Sequence, residues 1–168
     1  MATVRVQDRL QPALLDRLTD DDPGSTLEAL DARAIHRNRL REMVLRDLSW
    51  IFNCNAPSGD FDGAGLEHVR RSVLNYGLVP MSGTSTSSID TLVLQQRVRQ
   101  AILDFEPRIL PDTLTVEVVD AVAQMDHHNQ LGFRIAGQLW AQPVPLELLL
   151  HTDIDLETGR VSVQELDR

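Results

Sequence analysis

The chain has 168 residues, enough for one domain that buries roughly 70% of its unfolded surface and needs no metal or disulfide staple. Its net charge is −9, and residues 111–168 hold 10 acids against 3 Arg, or −7 of that total; this excludes the basic stripe that nucleic-acid binding requires. All 16 basic residues are Arg, so no lysine is present for a Walker-type phosphate loop, and the single cysteine, Cys54, has no partner for an internal bridge.

No run of about 18 apolar residues is present to span a membrane. The opening "MATVRVQDRL" has no apolar leader core. The sequence therefore reads as cytoplasmic, with Cys54 as a buried apolar thiol in a reducing compartment.

Residues 1–24 read as a flexible arm: "ALLDRL" supplies a turn or two of amphipathic helix, and "TDDDPG" ends it. A single domain is expected over 25–168. Ser25 and Glu28 form a capping-box pattern, and an apolar stripe through Leu40, Val44, Leu48 and Ile51 predicts a helix over about 26–52. "NCNAPSGDFDGAG" is a loop by composition. A second helix is expected over about 65–76, using Leu66, Val69 and Val73, with Gly77 as its C′ residue. Ser87 and Asp90 repeat the capping-box pattern, and a third helix is expected over about 88–105 through Leu94, Val98 and Ile102.

After Pro111 the apolar period changes to two, which predicts strands at about 113–119, 131–141, 146–156 and 160–165. "LETGRV" reads as a hairpin turn. Helices first and strands last make the fold class α+β, with N-terminal helices packed on a C-terminal antiparallel sheet.

Several constellations fail on their own chemistry. "GDFDGAG" sets Asp60 and Asp62 before Gly63 like a calcium loop, but Ser58 and Val69 fall where carboxylate ligands belong. His127, His128 and His151 do not make a zinc site: neighbours on a strand face opposite ways, and no cysteine accompanies them. Neither a G-x-S-x-G elbow nor a Cys-His signature occurs. No metal or cofactor is expected.

The decisive stretch is "DFEPRIL", residues 104–110. Pro107 disfavours helix at Glu106, so the chain extends there and Glu106 and Arg108 point to the same side. Burying either charge alone is costly, so each needs a partner. Two readings stand side by side: an internal pair, and a docking point for another chain. A third makes Glu106 the general acid of a muramidase-like glycoside hydrolase. Nothing selects Asp104 or Asp112 as its companion, and only 7 aromatics are available to line a sugar cleft.

Five segments in order, "LLDRLTDDDP", "LRDLSWIFN", "SVLNYGL", "VRQAILDFEPRI" and "DLETGRVSV", give the chain a resemblance to the TssE-type subunits of the type VI secretion baseplate. That family is similar to the sheath-proximal wedge protein of contractile phage tails and has carried the label "lysozyme-like". The resemblance covers nearly the whole chain, and its Glu-Pro-Arg motif is the most specific part. It implies a small, non-enzymatic α+β subunit that joins the wedge to the contractile sheath. Glu106, Pro107 and Arg108 would meet other wedge subunits, and the terminal strands would template the first sheath ring. The implied partners are wedge and sheath subunits, with no nucleic acid and no direct membrane insertion.

Overall fold

The computed structural model describes residues 13–19, 23–24, 37–57, 66–80, 90–119, 130–141 and 144–166. Among the described residues four α-helices precede four strands: α1 (Leu14–Leu18), α2 (Arg37–Asn53), α3 (Glu67–Arg70), α4 (Thr91–Phe105), β1 (Thr115–Val119), β2 (Gln130–Leu139), β3 (Leu146–Asp155) and β4 (Val161–Glu165). The strands form one antiparallel meander in the order β1-β2-β3-β4. The fold is thus α+β, with its helices before its sheet. No described helix is long and apolar enough to cross a membrane.

Helix α2 buries Leu40, Met43, Val44, Leu48, Ile51 and Phe52, spacings of three and four that line one face of a 3.6-residue repeat. Helix α4 does the same with Leu94, Val98, Ala101 and Ile102. Both lie on one face of the sheet, α2 against β4 and α4 against β1. Val116, Ile135 and Leu150 stand in register across three strands and face these helices, as do Phe133 and Ile154. The alternation along β3, from buried Leu146 to half-buried Asp155, is the two-residue period of a strand with one covered face.

Several boundaries differ from expectation for local reasons. Helix α4 begins at Thr91, because Asp90 is itself the N-cap: its carboxylate accepts from the amides of Leu92 (3.0 Å) and Val93 (3.2 Å). The segment expected as one helix over 65–76 is a single α turn followed by a 3₁₀ turn, Val73–Asn75. There the Ser72 hydroxyl and the Asn75 side-chain amide donate to the Val69 carbonyl at 2.7 and 2.9 Å, which diverts the backbone from helical bonding. Val73 is consequently 80% exposed rather than in the core. The first strand starts at Thr115, after a 3₁₀ turn at Pro111–Thr113.

Cys54 is exposed, contrary to the buried thiol expected. Its backbone makes the structural contact instead. The Leu78 amide donates to the Cys54 carbonyl (2.9 Å), and the Ala56 amide donates to the Leu78 carbonyl (2.8 Å). This parallel bridge between Asn55 and Leu78 is allowed by Gly77, whose φ is +114°.

Residues 25–36, the loop at 58–65, Ser87, His127 and His128 lie outside the described residues. His151 pairs with Asp153 at 3.1 Å.

Candidate partner-docking site

Helix α4 ends where the sequence places Pro107. The Glu106 amide still donates to the Ile102 carbonyl (2.8 Å), but Glu106 itself sits at φ −120°, ψ 79°, outside the helix. The chain then runs beside the end of β2. The Trp140 amide donates to the Arg108 carbonyl (2.7 Å), the Leu110 amide donates to the Gln138 carbonyl (2.8 Å), and Ile109 bridges Leu139. Backbone pairing on both sides of buried Ile109 fixes the turn before any side chain is considered.

The turn aims Glu106 inward, only 2% exposed. Arg108 clamps it in a two-pronged ion pair, Nε to Oε1 at 2.7 Å and Nη2 to Oε2 at 2.5 Å, and the Arg108 amide adds a third bond to Oε1 at 3.1 Å. The same Nη2 reaches Asp47 Oδ2 on α2 at 2.5 Å. Asp47 in turn holds Arg46, whose Nη1 pairs with Asp16 of α1 at 2.5 Å and whose guanidinium lies 4.9 Å from the centre of the Trp50 ring. Charges therefore alternate through Glu106, Arg108, Asp47, Arg46 and Asp16, stitching the end of α4 to α2 and then to α1.

Burial alone would pull the Arg108 guanidinium down, but the Glu106 and Asp47 carboxylates outweigh it and hold its pKa above the ordinary value. Hydrogen bonding to Asp16 raises Arg46 likewise, against the opposing effect of burial and with help from Asp47. Beside the ladder, the Tyr76 and Phe105 rings meet edge to face at 5.1 Å.

These positions separate the three residues of the motif. Glu106 is an internal anchor. Pro107 is exposed, and the Arg108 side chain is 21% exposed. Next to them Trp140 is 55% exposed. A fixed turn thus presents Pro107, the Trp140 ring and a small part of the Arg108 side chain to the outside, while Arg108 Nη1 is itself buried; aromatic and Arg side chains are common anchors of protein interfaces.

The arrangement does not suit acid catalysis. A general acid must reach the glycosidic oxygen, yet both Glu106 oxygens are engaged by Arg108 inside the protein. Glu106 also lines neither of two surface clefts, one bordered by Arg41, Gly137, Glu147 and Leu149, the other by Asn53, Asn55, Thr158 and Arg160. Of the two companions weighed, Asp104 pairs with Arg71 at 2.8 Å, and Asp112 lies exposed in the 3₁₀ turn.

The model of the family described as baseplate wedge protein gp25 matches residues 38–144 of this chain. The chain belongs to the gp25 baseplate wedge family. The match runs from α2 through β2 and includes the Glu-Pro-Arg turn together with Arg46 and Asp47; β3 and β4 follow it. As a gp25-family member the chain is a baseplate structural protein, and interaction with other baseplate components comes with that membership. No curated protein and no solved structure matches the chain.

Asp47, Arg46 and Asp16 were not legible as parts of this site. Asp47 stands 61 residues before Arg108, and no local spacing joins them.

Proposed function

We propose that this gp25-family protein is a non-enzymatic subunit of a type VI secretion baseplate, that it joins the wedge to the contractile sheath in the cytoplasm, and that it helps initiate sheath assembly. Family membership supports the baseplate part. On the wedge side, Pro107 and the neighbouring Trp140, with the small part of the Arg108 side chain that stays exposed, meet other wedge subunits, while Glu106 holds the turn in shape from within.

The observation that carries the sheath part is the outer edge of β4. The Asp155 amide donates to the Arg160 carbonyl and the Leu166 amide donates to the Leu149 carbonyl. With Leu150 opposite Glu165 and Thr152 opposite Val163, antiparallel alternation turns the N–H and C=O groups of Val163 and Glu165 away from β3. Those groups have no partner among the described residues, so the edge can accept a strand. The neighbouring acids Asp153, Asp155 and Glu157 favour a basic strand from a sheath subunit.

Val163→Pro tests this directly. Proline there removes an outward N–H while sparing the bonds to β3, a position where edge strands tolerate it. The folded variant should still bind wedge subunits but fail to start sheaths, scored by counting fluorescent sheaths in cells. Normal sheath numbers with a folded variant would sink the sheath role.

A further inference from the structure

The β4 edge is not open along its whole length. Asn53, the last residue of α2, lays its side-chain amide against Val161, the first residue of β4. The Val161 amide donates to Asn53 Oδ1 at 3.0 Å, and Asn53 Nδ2 donates to the Val161 carbonyl at 2.9 Å. The second Nδ2 hydrogen goes to the Ser49 carbonyl of α2 at 2.8 Å. Every N–H of the amide group is thus used, and its orientation is fixed by bonds at both ends.

Val161 lies opposite Ile154, in the same outward-facing phase as Val163 and Glu165. A carboxamide has the donor and acceptor of a peptide group, so Asn53 fills the place that a neighbouring strand's backbone would take. It satisfies one outward residue of the edge and leaves the next two open.

We propose that Asn53 is the stop that ends strand addition on β4: an extended, basic segment of a sheath subunit pairs with Val163 and Glu165 and halts before Val161. The inference rests on the sheath-joining reading above and adds the residue that sets where the added strand ends. A plug at one end gives the edge a defined register, which an unblocked polar edge lacks. It also shortens the exposed edge, the general protection against indiscriminate pairing.

Residue-resolved amide hydrogen exchange tests the stop, on the full chain alone and within baseplate–sheath assemblies purified from cells. In the free wild type, Val161 should exchange slowly while Val163 and Glu165 exchange fast. Asn53→Ala should speed Val161 by about tenfold or more through loss of its acceptor. Asn53→Asp keeps that acceptor and should leave Val161 slow, which guards against a variant that merely frays.

In the assembly, wild-type Val163 and Glu165 should become protected with Val161 unchanged, whereas in Asn53→Ala the added strand should extend and protect Val161 too. An unchanged Val161 rate in free Asn53→Ala, or a Val161 that stays fast in the assembled variant, overturns the stop. If Val163 and Glu165 stay fast in the wild-type assembly, strand addition itself fails, whatever Asn53 does.

Discussion

Replacing Arg108 with alanine is expected to lower the unfolding free energy by about 3–5 kcal/mol, the usual result of removing one partner from a buried ion pair. Glu106 is 2% exposed and would be left buried without its ion-pair partner, and Asp47 would lose its link to the end of α4. Urea unfolding measures the loss. Glu106→Gln/Arg108→Met removes both charges at similar volume and should recover more than half of it, because no uncompensated charge stays buried. A loss under about 1 kcal/mol for Arg108→Ala would make the clamp an ordinary surface pair.

The pH dependence has a definite sign. The Arg108 pKa is raised in the folded state, so its contribution is complete below the unfolded value and is lost only as pH rises through the still higher folded value. Arg108 itself therefore stays charged, and its own titration adds no pH dependence to the stability of the wild type between pH 6 and pH 9.

The second large effect is expected at Gly77. Its φ of +114° is one that side chains rarely adopt, and a Cβ there would lie 2.2 Å from the Cys54 carbonyl oxygen and 2.6 Å from its carbon. These are backbone atoms of the Asn55–Leu78 bridge and have no rotamer by which to retreat. Gly77→Ala should cost roughly 3 kcal/mol from backbone strain and the parting of that bridge. Urea unfolding gives the total, and faster exchange of the Leu78 amide, which now donates to Cys54, shows where the strain goes. A change within about 0.5 kcal/mol would mean that the bridge shifts freely and does not tie the end of α2 to residues 77–78.

The parts of the fold legible in the sequence are those where one repeat dominates. Leu40, Val44, Leu48 and Ile51 mark the buried stripe of α2 because nothing in that stretch competes with helix. The alternation from Leu146 to Ile154 marks β3 because helices cover only one of its faces. Residues 65–76 misled for the opposite reason: Leu66, Val69 and Val73 have helical spacing, but Ser72 and Asn75 take the Val69 carbonyl with their side chains and end the helix. Asp90 acts as a cap in its own right, although the pattern pointed to Ser87.

The candidate site was half legible. Proline chemistry stops α4 at Phe105 and sets Glu106 and Arg108 on one side, but choosing between an internal pair and a docking point requires knowing what lies opposite. Asp47 lies opposite, from a helix distant in sequence. The outcome divides the motif: Glu106 faces wholly inward, Pro107 faces out, and Arg108 pairs inward with only about a fifth of its side chain exposed. Asn53 was invisible for a related reason, since an asparagine at a helix end carries no sign that its amide meets a strand.

The most direct test of a docking role leaves the ion ladder intact. Pro107→Asp/Trp140→Asp alters two exposed side chains and spares Glu106, Arg108 and the backbone bonds of the turn. Wild type and variant, both shown to fold, would be captured from the source cell and their partners identified by mass spectrometry. A docking turn gives a wild type that brings down other baseplate wedge subunits and a variant that loses them. Equal recovery of those subunits by both proteins would mean that the Glu-Pro-Arg turn only holds the chain to itself.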